Sequence, residues 1–471
     1  QKSLRLFRAE LATRYHWRNN RQCFEKNDFR RNSAEFTREY PVVLSTTYSI
    51  KGTLSIEHIY DYLIVDEASQ VDLATGVLAF SCARNIVIVG DLKQLPNVLT
   101  EDDIRTSDAI WQKYSLDERY RFSTHSLLSS ALEIWQDAPV TLLREHYRCH
   151  PKIINFCNQR FYGGRLLIMT EDHGEPDVIT AWRTAPGHHA RGAFNPREIE
   201  TIRREMLPSL PCEPAEIGII SPYNEQVNAL HRELGGGIDV ATVHKFQGRE
   251  KEAIILSTVD DQITAFTDDP NLLNVAVSRA KRQFTLVTSS NEQPDSRNIA
   301  DLLAYIDYNG GKITESAIHS VFDLLYEPYA EARREFLKRH RRISEFDSEN
   351  LTYALLERVL EADPAFRHLG VLCHQPLRQL IRDWTILDDE ERRYALNGAT
   401  HLDFLIYNRV SKRPVLAIET DGYQFHKQGT RQSERDRMKD RILDRYSLPL
   451  LRLSTTGTDE EAKIHTLLKR N

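Results

Sequence analysis

Acidic side chains follow two short apolar runs in the first quarter of the chain. The run at 62–65 ends at Asp66 and Glu67, and the run at 86–89 ends near Asp91. Such runs are typical of strands buried on both faces of a parallel sheet. Because ligands of open α/β sheets bind beyond the carboxyl ends of the strands, this pattern presents the carboxylates to a ligand. Asp66 can hold Mg²⁺ on a nucleotide, and Glu67 can orient or deprotonate an attacking water.

An acidic pair after four apolar residues can also mark only a helix N-terminus. The second run argues against this, because it continues into Gly90-Asp91-Leu92-Lys93-Gln94-Leu95-Pro96 and brings two neighbouring strand ends together. The strings DEAS and GDxxQLP resemble motifs II and III of superfamily 1 helicases. The resemblance implies that Gln94 senses the γ-phosphate of ATP and couples it to motion between two lobes.

The composition bounds the class of protein. A chain of 471 residues exceeds one ordinary core, so we expect about two to four domains. A hydrophobic content of 41%, without an apolar run of membrane length or a signal peptide, is typical of a soluble protein with no membrane partner. The six cysteines form no CxxC pair, which favours a reduced cytoplasmic protein. Because the net charge is −6, any nucleic-acid affinity must come from local basic surfaces.

Strand and helix patterns alternate along the first 300 residues, which predicts two α/β domains with parallel sheets. The predicted helices span 70–83, 123–135 and 271–281, and further strands are predicted at 41–47, 140–143, 216–223, 239–243, 253–259 and 283–288.

Four strings carry a more specific resemblance, and they are REHYRCHPKIINFCNQRFY, IISPYNEQ, VATVHKFQGREKEAIILSTV and NLLNVAVSRAKRQF. They look like motifs IV, IVa, V and VI of superfamily 1B helicases, the group that includes the nonsense-mediated-decay helicases. The resemblance covers residues 41–288 and implies two RecA-like lobes that hydrolyse ATP and move from 5′ to 3′.

The same resemblance implies roles for individual residues. Tyr147 would stack on the nucleotide base, and Arg148 and Arg279 would reach the γ-phosphate, where they stabilise charge during phosphoryl transfer. Structural ion pairs are the alternative for both arginines. The remaining implied nucleotide contacts are Gln247, Gly248 and Glu250. Gly248 could instead only cap a strand end.

Nucleic acid would cross the ends of the strands in both lobes. The residues implied by the resemblance are Thr46, Pro222, Tyr223, Thr242 and His244. Hydroxyls and main-chain amides hold phosphate, and Tyr223 could stack on a base. His244 could instead be a structural histidine near a strand end.

The first lobe departs from the family pattern. Superfamily 1 enzymes need a GxxxxGK[ST] loop to cradle the phosphates, and this chain contains no such string. Gly52, within YSIKGTLS, lacks the required spacing. The phosphate loop therefore lies upstream, or the ATPase has degenerated. We favour an upstream loop, because every downstream catalytic position is filled.

A second acidic constellation lies near the end of the chain. The runs at 401–407 and 415–422 predict a hairpin, and period-two counting puts Glu419 and Asp421 on one face, with Asp403 on the partner strand. Three converging carboxylates would repel one another unless they bound a divalent metal.

The strings DF, E-x-D-G-x-x-x-H, RD-x-x-K-D and LR in residues 346–471 resemble the PD-(D/E)xK nuclease fold, most closely the very-short-patch-repair type. The resemblance implies Mg²⁺-dependent hydrolysis of DNA, with Asp403, Glu419 and the helical residue Glu357 as metal ligands. Asp421 occupies the position of the expected lysine, so Lys439 or His426 would have to assist. An inactive nuclease fold kept for DNA or partner binding is the alternative.

These observations predict four segments: a partial first RecA-like lobe (1–138), a second lobe (139–300), a basic helical linker (301–345) and a restriction-endonuclease-like α/β domain (346–471). The leading hypothesis is an ATP- and Mg²⁺-dependent DNA helicase fused to a DNA endonuclease, in bacterial DNA processing or antiviral defence. The alternatives are an RNA helicase with an accessory domain and a non-hydrolysing nucleic-acid-binding subunit. DNA is favoured over RNA as the partner, and protein partners or a homo-oligomer are possible.

Overall fold

A computed structural model of the chain describes residues 2–15, 23–25, 27–326, 329–398, 400–421 and 431–470. The chain forms two units. The first unit comprises Gln1–Glu145, Phe161–Leu167 and Pro270–Val275, and the second comprises His146–Arg160, Ile168–Asp269 and Ala276–Asn471. The predicted second lobe and the predicted C-terminal domain therefore lie mostly in the second unit.

The first 146 residues form small helices around a two-stranded parallel sheet. The elements are α1 (Lys2–Tyr15), α2 (Asp28–Arg31), α3 (Ser33–Glu39), α4 (Ile50–Thr53), β1 (Tyr60–Val65), α5 (Leu73–Phe80), β2 (Ala83–Ile88), α6 (Glu101–Lys113), α7 (Leu127–Ile134) and β3 (Glu145–His146). Strands β1 and β2 pair in parallel with Val65 opposite Ile88. The two acidic strand ends therefore lie side by side, as the sequence predicts.

Two other predictions for this region are wrong. Residues 41–47 and 140–143 do not form strands, and Leu44 is 91% exposed. The expected burial of both sheet faces also fails, because Tyr62 and Ile64 of β1 are each 67% exposed. The physical reason is that a strand needs hydrogen-bonded neighbours and covering helices, and among the described residues β1 and β2 pair only with each other.

The second unit contains a six-stranded sheet whose strand order is β10-β5-β9-β8-β6-β7 and whose pairs are all parallel. Its region comprises α8 (Pro151–Phe161), β4 (Leu167–Ile168), β5 (Ile179–Thr184), α9 (Pro196–Thr201), β6 (Ile217–Ser221), α10 (Asn224–Leu234), β7 (Asp239–Thr242), α11 (Val243–Phe246), β8 (Lys251–Ser257), α12 (Pro270–Val277), β9 (Ala280–Ser289), α13 (Asn298–Tyr308) and β10 (Ile313–Glu315). The parallel α/β class is confirmed. The sequence did not predict β5 or β10, and β10 extends this sheet beyond the predicted boundary at residue 300.

The C-terminal region is a separate mixed sheet of four strands in the order β11-β12-β13-β14. Its elements, with the helix that precedes them, are α14 (Ala330–Arg339), α15 (Asp347–Ala362), β11 (Leu369–Pro376), α16 (Asp389–Leu396), β12 (His401–Asn408), β13 (Pro414–Asp421), α17 (Arg431–Arg445), β14 (Leu450–Ser454) and α18 (Glu460–Arg470). Helices α15 and α18 cover one face of this sheet, and α16 and α17 cover the other. The predicted C-terminal α/β domain and its antiparallel β12–β13 hairpin are confirmed.

A buried ion pair ties the segment before α14 to the six-stranded region. The Arg197 guanidinium donates to both carboxylate oxygens of Asp323, at 3.0 and 2.9 Å, and to the Ile318 carbonyl at 2.8 Å. The basic stretch of the predicted linker forms only the short helix α14. No helix in the described part of the chain combines the length and apolar character needed to span a bilayer.

A buried carboxylate fixes the carboxyl end of β8. Glu198 is fully buried and accepts hydrogen bonds from Ser257 Oγ at 2.5 Å, Thr258 Oγ1 at 3.1 Å and the Val259 amide at 3.0 Å. Val259 has a φ of 74°, which a β-branched residue rarely adopts. Burial raises the pKa of Glu198 to about 8, although these hydrogen bonds oppose the increase.

Glu198→Gln should remove a pH dependence of stability. The folded-state pKa of about 8 lies above the ordinary value of 4.5, so the native state holds its proton longer than the unfolded chain. The stability of the native protein should therefore fall as the pH rises from about 4.5 to about 8. The variant should show a flatter dependence of its unfolding midpoint in urea over this range. Glu233→Gln, an exposed change on α10, is the control; identical pH profiles for all three proteins would contradict the prediction.

Gly218→Ala should destabilise the six-stranded region. A Cβ at this position would lie 2.5 Å from Phe246 Cζ and 2.7 Å from Ile254 Cδ1, and both side chains are fully buried. We expect a loss of about 1–3 kcal/mol in the free energy of unfolding, because a packed core resists an added methyl group. Chemical denaturation measures it. Gly236→Ala is the matched control, since a Cβ there meets nothing within 4 Å; equal stability of the two variants would disprove the packing argument.

Candidate functional site

The acidic strand end of the first unit is open to solvent. Asp66 and Glu67 are exposed, and Glu67 has a φ of 51°. Asp66 Oδ1 accepts the Glu67 amide at 2.9 Å, and Glu67 Oε2 accepts from Gln70 Nε2 at 3.3 Å. A non-glycine residue at positive φ directly after a strand is uncommon, and such residues concentrate at functional sites. Both carboxylates can therefore reach a ligand.

The neighbouring strand end contacts this acidic turn. The Ala68 amide donates to the Val89 carbonyl at 2.9 Å, and a Cβ on Gly90 would lie 3.0 Å from the Ala68 nitrogen. Gln94 Nε2 lies 3.4 Å from Asp91 Oδ2, which also accepts from Tyr162 Oη at 2.6 Å. The glycine permits the close approach of the two turns, and Asp91 holds the loop that carries Gln94.

Cations gather at the amino ends of β8 and β9 in the second unit. Arg148 Nε lies 2.6 Å from Glu250 Oε2, and Lys281 Nζ lies 2.8 Å from Glu250 Oε1. The hydrogen bond from Lys281 and the charge of Arg148 hold the pKa of Glu250 below its ordinary value. The buried Arg279 also lowers that pKa through its charge. Three cations therefore surround one carboxylate.

Arg148 forms a structural ion pair, which was the alternative to a contact with the γ-phosphate, but its side chain remains about 40% exposed. The half-buried His146 stays neutral at physiological pH, since burial and the charges of Arg148 and Arg279 lower its pKa to about 4. Guanidinium and ammonium groups gathered at one edge of a sheet fit a polyphosphate, because oxygen anions accept hydrogen bonds from them. Gly248 has a φ of 78°, which permits the turn between α11 and β8.

The remaining predicted nucleotide contacts lie in the same unit. Tyr147 is exposed and directly precedes Arg148, and Gln247 ends the short helix α11 just before Gly248. Because β8 starts at Lys251 and β9 at Ala280, Glu250 and Arg279 both stand at the amino ends of paired strands. The structure therefore brings together Arg148, Arg279 and Glu250, which the sequence selected separately. Lys281 was missed, although it follows Arg279 by two residues.

The predicted nucleic-acid contacts of the second unit lie at the opposite edge of the sheet. Thr242 pairs with Ser221 at the carboxyl ends of β7 and β6, so Pro222 and Tyr223 lie beside it. Thr242 and Pro222 are buried, while His244 is exposed. Partial burial lowers the pKa of His244, so this side chain is neutral at physiological pH and offers no charge to phosphate. Thr46, in the first unit, is exposed in a turn and accepts the Ser49 amide at 3.2 Å.

A buried ion pair stands at the end of the C-terminal hairpin. Lys439 Nζ of α17 lies 2.6 Å from Glu419 Oε2 and donates to the His401 carbonyl at 2.9 Å. Asp403 Oδ2 accepts the Thr420 amide at 2.8 Å. Burial and the nearby Asp403 charge raise the pKa of Glu419 to about 7, while Lys439 opposes this shift. Lys439, one of the two groups expected to replace the missing lysine, is thus in contact with Glu419; His426 lies outside the described residues.

Asp421 does not join Asp403 and Glu419 as the sequence predicted. It lies 3.2 Å from Arg452 Nη1, and the same guanidinium reaches Asp440 at 2.7 Å and Asp436 at 4.0 Å. Within the described ranges, the three predicted carboxylates do not bring their oxygens within 4.8 Å of one another. The correction has a physical cause: Arg452, opposite Glu419 on β14, supplies a cation that draws Asp421 away.

Glu357 lies far along α15 from this hairpin end. Glu357 accepts a hydrogen bond from Tyr353 Oη at 2.7 Å. The helix contacts the hairpin at Thr352, whose Oγ1 lies 3.0 Å from Thr420 Oγ1. Glu349, about 12 Å before Glu357 along the helix, is the nearer acid. Its Oε2 is buried, lies 3.7 Å from His374 Nε2 and has no hydrogen-bond partner among the described residues. The ring of His374 lies 5.5 Å from that of His401. Helical periodicity alone could not choose between the two glutamates.

His150, Asp172 and Glu175 are, in the part of the chain that is described, the group whose potential metal-binding atoms lie within 4.8 Å of one another. The sequence had not selected them. His150 Nδ1 accepts the Lys152 amide at 3.1 Å, so Nε2 carries the proton and donates to Glu175 at 3.2 Å. Lys152 Nζ lies 3.6 Å from Asp172. These contacts make a hydrogen-bonded ion cluster, which does not fit a metal.

Three family models match separate parts of the chain. Residues 5–101 and residues 123–291 match two family models that are each described as an AAA domain. Residues 346–470 match a family described as a protein of unknown function (DUF2726). The third match covers the four-stranded C-terminal domain.

The curated relatives are helicases. The chain is 30% identical over 272 residues to the DNA replication ATP-dependent helicase/nuclease DNA2 of Gallus gallus, covering 54% of this chain and 25% of that protein. It is 27% identical over 284 residues to an uncharacterized ATP-dependent helicase of Methanocaldococcus jannaschii, covering 55% and 40%. It is 29% identical over 254 residues to the 5'-3' DNA helicase ZGRF1 of Mus musculus, covering 49% and 13%.

The chain thus spans less than half the length of each of these relatives. A solved arterivirus helicase overlaps 56% of this chain and 51% of its own at 13% identity, with a TM-score of 0.29 that carries no argument. The two AAA-domain matches and the helicase relatives agree with the motifs on the described strand ends. These matches support a helicase core within residues 5–291.

Proposed function

We propose that this protein is an ATP-dependent DNA helicase or translocase with a metal-dependent DNA nuclease at its C-terminal end. The observation that carries the motor assignment is the cluster of Arg148, Arg279 and Lys281 around Glu250. Arg148 and Lys281 contact Glu250, the charge of Arg279 lowers the pKa of that carboxylate, and Lys281 also lies 3.7 Å from Glu252 Oε1. Phosphate oxygens of ATP would replace Glu250 as acceptors for these guanidinium and ammonium donors. Arginines placed at the transferred phosphoryl group accelerate hydrolysis by roughly 10³- to 10⁵-fold.

The residues selected from the sequence would take separate roles in ATP hydrolysis. In the first unit, Asp66 would hold the Mg²⁺ that accompanies ATP, Glu67 would orient the attacking water, and Gln94 would sense the γ-phosphate. In the second unit, Arg148 would exchange Glu250 for phosphate oxygens. The exposure of Arg148 supports this exchange, because an exposed ion pair contributes only about 0–1 kcal/mol. Tyr147, Gln247 and Gly248 would complete the nucleotide contacts.

The first unit also supports a phosphate loop supplied by polypeptide outside residues 1–471. Apolar side chains of β1 that would be buried in a full parallel sheet are exposed, with Tyr62 and Ile64 each at 67%. The unpaired apolar runs at 41–47 and 140–143 have the composition of two further strands. A parallel strand that ends in the phosphate loop would give this sheet the neighbours it lacks.

DNA is the proposed nucleic acid because two of the relatives above are named as DNA helicases. Thr46 in the first unit and Thr242, His244 and Pro222 in the second would line its path. The hydroxyls and main-chain amides at these strand ends suit phosphate. An RNA helicase would use the same contacts, so the test includes both nucleic acids. Bacterial DNA processing or defence is the proposed setting, and only the fusion of the two activities supports it.

The C-terminal domain supports a nuclease through its buried Glu419–Lys439 pair. In the PD-(D/E)xK pattern the lysine follows the acid on the strand, whereas here Lys439 reaches Glu419 from α17 at 2.6 Å. Asp403 and Glu419 are hard oxygen donors, which suit Mg²⁺. When bound, Mg²⁺ would supply Lewis-acid activation of water. Lys439 would hold a water or phosphate oxygen beside Glu419, while Asp421 would order Arg452.

Glu67→Gln should lower DNA-stimulated ATP hydrolysis at least about 100-fold in the polypeptide that carries the phosphate loop, because the group that orients water is lost. Steady-state phosphate release with single-stranded DNA, RNA and no nucleic acid measures this. Glu57→Gln, an exposed change in the same unit, should retain full activity. Undiminished hydrolysis in Glu67→Gln would remove Glu67 from the mechanism. Absence of hydrolysis in the unchanged protein would support the non-hydrolysing subunit instead.

Asp403→Asn and Lys439→Met should each abolish Mg²⁺-dependent cleavage of single- and double-stranded DNA, measured by gel analysis of labelled oligonucleotides. Lys463→Met, an exposed change on α18, is the control. Lys439→Met leaves a buried carboxylate unpaired, so its fold is checked by thermal unfolding and by the double variant Glu419→Gln/Lys439→Met. Full cleavage by Asp403→Asn would refute the assignment.

A further inference from the structure

An exposed aromatic ring stands beside the predicted nucleic-acid edge of the second unit. Phe266 lies between β8 and α12 and is 49% exposed. Its ring centroid lies 5.4 Å from that of Tyr223, at an interplanar angle of 56°. Tyr223 directly follows the carboxyl end of β6, next to Thr242 of β7. The two rings thus form an aromatic pair at the carboxyl edge of the sheet, and Phe266 is its outer member.

Hydrogen bonds to Asp260 fix this pair. Asp260 Oδ1 accepts from Tyr223 Oη at 2.9 Å, and Asp260 Oδ2 accepts from Thr264 Oγ1 at 2.8 Å and Thr267 Oγ1 at 2.6 Å. Both threonines flank Phe266 closely. The phenol of Tyr223 is therefore anchored, and the backbone on either side of Phe266 is held to the same carboxylate.

The rest of the segment is equally well held. Ile263 is buried, and its amide donates to Gln293 Oε1 at 2.6 Å. Asp268 accepts the amides of Arg297 at 2.8 Å, Asn298 at 3.1 Å and Ile299 at 2.8 Å. Phe266 stays half exposed although hydrogen bonds hold the segment around it. The ring therefore lacks part of the hydrophobic free energy of burial, which is roughly 1.5–3 kcal/mol for a full side chain.

The charges around the ring select the kind of contact. The segment carries four aspartates, at 260, 261, 268 and 269, so it repels phosphate and does not suit a polar backbone contact. An apolar ring face among acidic groups suits a nucleobase, because every base offers a π-face that stacks irrespective of its sequence. Tyr223, which was expected to stack, already has its hydroxyl tethered and part of its ring covered by Phe266.

We propose that Phe266 is a base-stacking platform for single-stranded DNA, with Tyr223 as the positioning residue behind it. The proposal rests on the proposed function, since it assigns a contact within the same nucleic-acid path. Thr242 and the amides at the strand ends would take the phosphates, and Phe266 would take a base on the side of Tyr223. The chain would then bind single strands with little sequence preference.

The test compares the full chain with Phe266→Ala, Phe266→Trp and Tyr308→Ala in fluorescence anisotropy titrations with labelled oligo(dT). Tyr308 is the matched control, because it is 89% exposed and ends α13, before the amino end of β10. Phe266→Ala should weaken binding about 5- to 100-fold, the effect of one base–aromatic stack. The dependence of affinity on salt should stay unchanged, since no phosphate contact is lost. Phe266→Trp should keep the affinity and show fluorescence quenching on binding beyond that of the five native tryptophans.

The outcomes separate this proposal from the one on which it rests. If the unchanged chain and Phe266→Ala bound oligo(dT) with equal affinity, the stacking platform would be overturned and the helicase assignment would stay intact. Equal weakening by Tyr308→Ala would also overturn it. Absence of any binding by the unchanged chain would overturn both proposals. If an abasic site in the oligonucleotide removed the difference in affinity between the unchanged chain and Phe266→Ala, this result would support a contact between Phe266 and a base.

Discussion

The parallel direction of all strands in the six-stranded sheet is the constraint on which the second unit depends. It gives the sheet two chemically different edges. Glu250 and Arg279 precede β8 and β9 at the amino edge, whereas Thr242 and Tyr223 follow β7 and β6 at the carboxyl edge. Residues 243–250 join the two edges through the short helix α11, whose buried Phe246 packs over Gly218. Thr242 and Glu250 are therefore joined by a short segment with Phe246 packed in the core, and the proposed motor would use this segment for coupling.

The same constraint explains why the first unit differs. A parallel strand needs partners that arrive through long crossovers, so a parallel sheet cannot be completed by local chain. Strands β1 and β2 pair with each other, but a two-stranded sheet cannot bury its apolar side chains, and several of them are exposed. The acidic turn survives because its geometry depends on local contacts: the Ala68 amide meets the Val89 carbonyl, and the Glu67 amide meets Asp66. Local hydrogen bonds thus fix the geometry of the acidic turn, although the apolar side chains of the two-stranded sheet are exposed.

The sequence predicted the alternation of strands and helices well where each apolar run had a partner. It succeeded for β1, β2, β6, β8 and the β12–β13 hairpin, and it failed at 41–47 and 140–143, because an apolar run becomes a strand only when another strand is present to pair with it. The motifs also predicted which residues carry charge, but not which charges meet. Asp421 was expected to face a metal, and the structure pairs it with Arg452 from β14, a contact set by sheet register. Phe266 gave no sequence signal, since its exposure depends on the hydrogen bonds of Asp260.

The C-terminal domain supplies the lysine of the proposed nuclease site from a helix instead of from the strand. The interaction energy of a carboxylate and an ammonium group depends on the distance between their charged atoms. A helix can therefore supply the lysine as well as a strand can, if this distance is kept. Lys439 reaches Glu419 from a helix, and the strand position of the expected lysine becomes free for Asp421. An aspartate there would repel Glu419 unless a cation compensated it, and Arg452 lies directly across from Glu419 on β14 and contacts Asp421. In the proposed site, the helix lysine would provide the cation beside Glu419, and the strand arginine neutralises Asp421.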